Sequence, residues 1–203
     1  MAGWSVHQGQ AVSLPQANID TDQLIPARFM SVPRAQGYGR YLLHDMRRDA
    51  AGDLIADFPL NANDGASVLI AGRNFGSGSS REAAVYALVD AGLCAVVAPS
   101  FGDIFAANAV NNGLLPATIE EATYETLARL LDGGPQDIRI DLDARSLQLG
   151  SVSVSFSLDD SWALKLINGW DDIDLTRNHG AAIAAYKTNR HQTAAWAWPD
   201  GAD

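Results

Sequence analysis

The middle of the chain alternates short apolar runs with longer amphipathic segments, and this rhythm restricts the fold most strongly. The runs ASVLIAG, LCAVVAP and LLPATI are typical of buried strands. The segments SSREAAVYALVDAG, FGDIFAANAVNNG and EATYETLARLLDGG follow them and are typical of helices, with Gly92 and Gly113 as stops. Strand–helix–strand alternation indicates crossover connections between parallel strands.

A second pattern follows this region. DIRIDL, SLQL and VSVSFSL alternate with a period of two, as half-exposed antiparallel strands do, and GAAIAAYKTNRHQ is typical of a terminal helix. The sequence therefore predicts an α/β fold with a mixed sheet and flanking helices. We expect one domain over residues 1–203, with a loop-rich segment at 18–64, an α/β core at 65–190 and a loose tail at 191–203.

Composition excludes several classes of protein. A net charge of −10 argues against nucleic-acid binding, and no apolar run is long enough to span a bilayer. The start of the chain does not resemble a secretory signal, so we expect a cytoplasmic protein. Cys94 is the only cysteine and the four histidines are scattered, so we expect no metal site made by this chain alone.

The charge is spread unevenly along the chain. Residues 28–81 contain seven arginines and five aspartates, which gives this window a charge of +2 inside an acidic protein. Solvated arginines on a surface loop would explain it, and so would a site for an anionic ligand.

The stretch GRNFGSGSSREAA, residues 72–84, follows the first strand of the alternating region. It lacks the Gly-Lys-Ser/Thr of a phosphate loop, the third glycine of a dinucleotide motif and the Gly-x-Ser-x-Gly of a nucleophile elbow. Two interpretations remain open. Ser79 to Glu82 fits a helix capping box. Alternatively, the stretch forms an anion site from its glycines, Ser80 and Arg81, with Arg81 placed one turn inside the helix. In such a site Ser79 could remove a proton from carbon.

Residues 72–84 and three other segments resemble a known family. The stretch is similar to the Gly-Ser-Ser-Arg-Glu signature of aconitase-like hydro-lyases. NIDTDQLIP, APSFGDIFAANAVNNGLLP and NGWDDIDLT resemble segments of 3-isopropylmalate dehydratase small subunits in the same order, over roughly Ser13 to Arg190. The resemblance implies an aconitase-like swivelling β/β/α domain. It also implies isomerisation of 2-isopropylmalate and 3-isopropylmalate by dehydration and rehydration, in leucine biosynthesis.

The resemblance also implies roles for individual residues. Ser79 is the general base, Arg81 binds a substrate carboxylate and Ser80 supports the same anion pocket. Thr21 and Asp22 match the active-site turn of the family, with Asp22 orienting cationic groups. An Asx-type turn at residues 20–22 is the structural alternative.

The loop after this turn is expected to face the variable group of the substrate. Phe29, Met30 and Val32 offer an apolar surface suited to an isopropyl substituent. Arg34 is either a second carboxylate ligand or a solvated loop arginine. The segment at 98–113 is interpreted as packing and a helix cap, with Asn108 and Asn112 as additional candidates.

In the family, a large subunit carries the iron–sulfur cluster, so this chain is expected to bind no cofactor and to act only with that partner on a dicarboxylate substrate. The sequence departs from the family pattern at Ser77, where cysteine is common, and at Ala83 or its neighbour Ala84, where histidine is common. Two alternatives therefore remain. One is a subunit of a hydro-lyase for another branched diacid of the methylmalate or methylmaleate type, and the other is a non-catalytic swivelling-domain binding module.

Overall fold

The computed structural model describes residues 2–198. Within them, seven strands form one mixed sheet: β1 (Val6–Leu14), β2 (Ala66–Ala71), β3 (Ala95–Ala98), β4 (Leu115–Thr118), β5 (Gln136–Asp141), β6 (Ser146–Leu149) and β7 (Val152–Ser155). Their order is β4-β3-β2-β1-β5-β6-β7. Strands β1 to β4 run parallel to one another, and β5 to β7 extend the other side of β1 as an antiparallel meander.

Helices cover this sheet and fill its connections. The α-helices in the described residues are α1 (Thr21–Leu24), α2 (Pro59–Ala62), α3 (Glu82–Asp90), α4 (Asp103–Asn111), α5 (Glu121–Leu130), α6 (Asp160–Asn168), α7 (Asp172–Arg177) and α8 (Gly180–Thr193). Short 3-10 turns lie at Ala27–Phe29, Arg34–Gln36, Gly39–Tyr41 and Ala195–Ala197. The predicted mixed sheet with flanking helices is confirmed.

Strand β1 is the main element that the sequence analysis did not predict. Residues Val6 to Gln10 alternate in exposure because one face of this half meets solvent where it pairs with β5. From Ala11 onward the strand is nearly continuously buried beside β2, after a register shift between Gln10 and Ala11. Two periodicities in nine residues obscure the strand pattern.

The parallel strands β2, β3 and β4 are buried on both faces. In β2, Leu69 belongs to one apolar cluster, which also contains the buried residues of α3. Its neighbours Val68 and Ile70 belong to a second cluster, formed with α5, α6 and the antiparallel strands. Strands covered on both sides require nearly continuous apolar runs, which is why ASVLIAG could be predicted.

The terminal helix expected from the sequence is present as α8, which continues to Thr193. The first three residues of the tail expected at 191–203 are therefore helical, and residues 199–203 lie outside the described residues. Within residues 2–198, no helix combines the length and apolar character that crossing a bilayer requires.

Candidate active site

The candidate site lies beyond the carboxyl ends of the parallel strands, where two loops run side by side. Gly76 N donates to Ile19 O at 2.8 Å, and Thr21 N donates to Ser77 O at 2.9 Å. These bonds align the loop after β1 with the loop after β2 in a short parallel pairing. Open α/β sheets bind ligands at this edge.

A third loop, after β3, fixes the other side of the Gly-Ser stretch. Phe75 N donates to Ser100 O at 3.0 Å, and Gly102 N donates to Phe75 O at 2.9 Å. The Phe75 ring is fully buried and meets the Phe101 and Phe105 rings edge-on. The stretch therefore starts from a rigid anchor.

The glycines of this stretch serve close packing within the protein. A Cβ on Gly76 would lie 2.1 Å from the Phe105 ring, and its φ is +71°. A Cβ on Gly72 would lie 2.6 Å from Gln16 O. Gly78 has a φ of +95° but more space around it. The interpretation that these glycines let the backbone approach a ligand is therefore wrong for Gly72 and Gly76. At both positions the absence of a side chain makes room for another part of this chain.

Of the two interpretations of the Gly-Ser stretch, the capping box at Ser79 to Glu82 is wrong. Helix α3 begins at Glu82, and its N-cap is Arg81, which makes no side-chain capping bond. The expectation that Arg81 lies one turn inside the helix is wrong for the same reason. Ser79 O instead accepts from Arg81 N at 2.8 Å, which closes a tight turn before the helix.

Glu82 is bound by a different residue from the one that the capping box required. Asn112 Nδ2 donates to Glu82 Oε1 at 2.9 Å, and so joins the end of α4 to the first turn of α3. Sequence reasoning held Asn112 only as an additional candidate. A signal was available in the adjacent pair Asn111 and Asn112, because amide side chains at a helix end bind neighbouring elements as well as the helix itself.

A capping box does occur in the loop after β1. Asp20 Oδ1 accepts from Gln23 N at 2.8 Å, and Asp20 N donates to Gln23 Oε1 at 2.9 Å. The loop therefore forms the short helix α1 in place of an isolated Asx-type turn. This helix places Thr21 and Asp22 beside the Gly-Ser stretch.

The structure brings five of the predicted site residues together. Asp22 forms an ion pair with the Arg81 guanidinium. The buried Thr21 hydroxyl donates to Ser79 O at 3.2 Å. Ser79 and Ser80 are exposed, and neither hydroxyl has a hydrogen-bond partner among the described residues. The site thus presents two available hydroxyls beside a guanidinium that one carboxylate already holds.

The three apolar residues of the predicted substrate loop differ in exposure. The Phe29 ring stacks on Tyr41 with 4.3 Å between centroids, and Val32 is partly buried against the core. Met30 is 39% exposed. Phe29 and Val32 therefore support the loop, and Met30 offers the most open apolar surface of the three.

Arg34 lies away from the Ser79 turn. Its Nη1 and Nη2 atoms contact the two carboxylate oxygens of Asp90 at 2.5 and 2.8 Å, and its guanidinium stacks 4.4 Å from the Tyr86 ring centroid. Asp90 ends helix α3, whereas the Ser79 turn precedes the first residue of that helix. The nine residues of this helix place its two ends roughly 12 Å apart. The structure thus does not bring Arg34 to the other five residues.

The residues of this chain do not fit an iron–sulfur cluster. Cys94 is the only thiol in the sequence and is half-buried, and burial raises the pKa of its thiol. The described residues also contain no group of three or more His, Cys, Asp or Glu side chains placed to hold a metal ion. Cluster ligation requires several deprotonated thiols.

Comparison with known proteins identifies related sequences over most of the chain. The family model of the Aconitase C-terminal domain matches residues 1–122. The 3-isopropylmalate dehydratase small subunit of Shouchella clausii is 42% identical over 184 residues, covering 90% of this chain and 93% of that protein. The small subunit of Shewanella oneidensis is 45% identical over 197 residues, covering 93% and 96%.

A solved structure has the same fold. The crystal structure of a 3-isopropylmalate dehydratase from Methanocaldococcus jannaschii superposes with a TM-score of 0.65 at 24% sequence identity, covering 89% of this chain and 99% of that chain. The predicted aconitase-like fold is confirmed by this match and by the family model. The chain belongs to the aconitase C-terminal domain family and, within it, to the small subunits of 3-isopropylmalate dehydratase, a hydro-lyase.

Proposed function

We propose that this chain is the proton-transferring subunit of a 3-isopropylmalate dehydratase, which interconverts 2-isopropylmalate and 3-isopropylmalate in leucine biosynthesis in the cytoplasm. The observation that carries the proposal is the exposed Ser79 hydroxyl, which has no hydrogen-bond partner among the described residues and belongs to the same turn as Arg81, at the carboxyl edge of the sheet. A general base and a carboxylate ligand are the two groups that this chemistry needs from a subunit without a cluster.

Ser79 acts as the base in this proposal. Its Oγ takes the proton from the carbon next to a substrate carboxylate during dehydration and returns a proton during rehydration. An alkoxide is unstable in water, but the free backbone amides at the start of α3 stabilise negative charge close by. Because Ser79 does not cap the helix, its hydroxyl is available for this role.

Arg81 binds and orients the substrate. A guanidinium has five N–H donors, and Asp22 occupies only part of this set through Nη1. The remaining donors match the two oxygens of a substrate carboxylate, and Ser80 adds a hydroxyl donor to the same pocket. Thr21 supports the turn from below through its bond to Ser79 O.

The apolar group of the substrate faces the loop after α1 in this proposal. Met30 provides the accessible surface, and Phe29 and Val32 hold the loop against the core. An apolar surface favours an isopropyl substituent over one that carries a further carboxylate. The proposal gives Arg34 no contact with the substrate.

A large subunit completes the enzyme. This chain has one cysteine, so we propose that the iron–sulfur cluster and its action on the leaving hydroxyl belong to the partner subunit. The isolated chain is therefore expected to be colourless and inactive, and to gain activity with a large subunit.

Ser79→Ala tests the proposal in the assembled enzyme. We expect the turnover rate to fall by roughly 10²-fold or more, the usual scale for loss of a general base. The thermal midpoint should change little, because no capping bond is lost. Ser153→Ala, at an exposed serine of β7, is the matched control and should leave both quantities unchanged. A Ser79→Ala enzyme of full activity would remove the proposed base.

A further inference from the structure

A small cavity lies in the loop-rich part of the chain, within residues 40–54. Its volume is about 200 Å³. Six residues line it: Arg40, Leu42, His44, Arg47, Arg48 and Leu54. Three arginines and one histidine thus line a single space, with no carboxylate in the lining, in a chain whose net charge is −10.

None of the three arginines forms an ion pair within residues 2–198. Each guanidinium donates only to neutral oxygen atoms: Arg40 to Gln36 Oε1 at 3.3 Å, Arg47 to Asn61 Oδ1 at 2.7 Å and to Leu60 O at 3.2 Å, and Arg48 to Gly52 O at 2.9 Å. Because a guanidinium carries five donors, most of the N–H groups remain available.

Two acidic side chains of the same segment, those of Asp45 and Asp49, are already engaged. Asp45 is held by Arg28, and this hydrogen bond, with a smaller one from His44, lowers the pKa of Asp45 to about 2. The Asp49 carboxylate accepts from the backbone N–H groups of Ala51 and Asp53 at 2.9 and 3.0 Å. Neither carboxylate neutralises the arginines of the cavity.

Arg47 is the member of the cluster that most needs a counter-charge. It is half-buried, and burial, together with the positive charge of Arg48, lowers the pKa of its guanidinium. Removing a charge from water without a partner is costly, and a second like charge close by adds to that cost. An anion bound between the guanidiniums of Arg47 and Arg48 would offset the cost of burying the Arg47 charge and the repulsion between the two charges.

We infer that this cavity binds a small multivalent anion, a carboxylate or a phosphate compound, between Arg40, Arg47 and Arg48. Arginine forks match the paired oxygens of either group. The volume is below the roughly 300 Å³ at which pockets for drug-sized ligands begin, so the ligand is a small one. The apolar side chains of Leu42 and Leu54 limit the space to the anion and a short carbon skeleton.

The test measures anion binding to the full chain by calorimetry, with inorganic phosphate and with malonate as separate probes. Sodium chloride at equal ionic strength corrects for screening. We expect saturable binding of at least one probe, with a rise in the thermal midpoint at saturation. The probe that binds more tightly tells phosphate from carboxylate recognition. If neither probe binds more tightly than chloride, the inference is wrong.

Variants locate the binding. Arg48→Ala removes a guanidinium bonded only to a surface carbonyl and should weaken binding about tenfold or more. Arg40→Ala should act in the same direction. Arg129→Ala, at a helix arginine that bonds only to Glu125 O, changes the net charge equally and should leave affinity unchanged. Equal losses in Arg48→Ala and Arg129→Ala would reduce the effect to net charge and overturn the inference.

Arg81 could also attract the probes, so each measurement is repeated in an Arg81→Ala background. Binding that persists there and is lost with Arg48→Ala belongs to the cavity. Binding lost with Arg81→Ala alone belongs to the proposed substrate site, and would overturn the inference without affecting the proposed function.

Discussion

Asp22 and Arg81 form an ion pair between two loops that are 59 residues apart in the sequence. Asp22 is the second residue of a helix fixed by its own capping box, whereas Arg81 is the N-cap of α3. The Arg81 side chain is 23% exposed and that of Asp22 is 53% exposed. The pair therefore sets the direction of the guanidinium and contributes little to stability.

Asp22→Asn tests this orienting role. The amide keeps a hydrogen-bond acceptor but loses the charge that fixes Arg81, so we expect KM to rise several-fold and kcat to fall less. The free energy of unfolding should change by less than about 1 kcal/mol, since exposed pairs contribute no more than that. Steady-state kinetics of the assembled enzyme and a urea titration provide the two values. Unchanged kinetics would mean that Arg81 needs no help from Asp22.

Gly76→Ala should destabilise the chain strongly. The new Cβ would lie 2.1 Å from the Phe105 ring, and φ at this position is +71°. Overpacking and a left-handed backbone together cost about 3 kcal/mol, which lowers the thermal midpoint of a protein of this size by roughly 6–12 °C. Gly133→Ala is the control, because a Cβ there meets no atom within 4 Å. Equal midpoints for the two variants would contradict the tight packing of the Gly-Ser stretch.

The alternating core could be predicted from the sequence because burial on both faces requires continuous apolar runs. Strand β1 was missed because half of it is covered and the other half meets solvent on one face. Helices α6 and α7 were not predicted either. One of the buried residues of α6 is Lys165. A lysine is rarely buried without a partner for its charge, so the sequence alone does not indicate that this residue faces the core.

The members of the candidate site could be predicted, but their arrangement could not. Ser79 and Glu82 have the spacing of a capping box. However, the helix begins only at Glu82 with Arg81 as its N-cap, and the Glu82 side chain is bound by Asn112. Arg34 was assigned two possible environments, and its actual partner, Asp90, is 56 residues away. Such choices depend on tertiary contacts, which sequence spacing does not contain.

Arg34 and Asp90 should behave as one unit if their pair only holds the loop at 27–40. Asp90 Oδ2 also accepts from Tyr38 N at 2.6 Å, so the carboxylate fixes the loop at two points. We expect Arg34→Ala and Asp90→Ala both to increase proteolytic cleavage within this loop and to raise KM a few-fold, with the effect of Asp90→Ala at least as large because it also loses the bond from Tyr38 N. A substrate ligand would give a different result, with Arg34→Ala raising KM far more than Asp90→Ala. Kinetics and limited proteolysis on both variants decide between the two.

Lys165 and Asp172 join α6 to α7, and Asn111 at the end of α4 binds both. The Lys165 residue is 5% exposed. Its Nζ contacts the Asp172 carboxylate and lies 3.0 Å from Asn111 Oδ1, while Asn111 Nδ2 donates to Asp172 Oδ2 at 3.0 Å. A buried ammonium that loses its counter-charge is costly, so the pair is a stability determinant that depends on pH.

Asp172→Asn should therefore cost about 1–2 kcal/mol of unfolding free energy at pH 7, less than for a fully buried pair because Asp172 is 67% exposed. The hydrogen bond from Lys165 lowers the pKa of Asp172 below its ordinary value of 3.8. The contribution of the carboxylate is thus complete well above pH 3.8 and is lost as the pH falls through the lower, folded-state pKa. Urea titrations at pH 7 and near pH 2 should show that the difference in unfolding free energy between the native chain and the variant narrows in acid.

Asp160→Asn, which breaks the exposed pair with Arg145, is the control and should show no difference above about 0.5 kcal/mol at either pH. A gap at Asp172 that is constant across this range would assign the loss to packing, and the ion pair would then not be the link between α6 and α7.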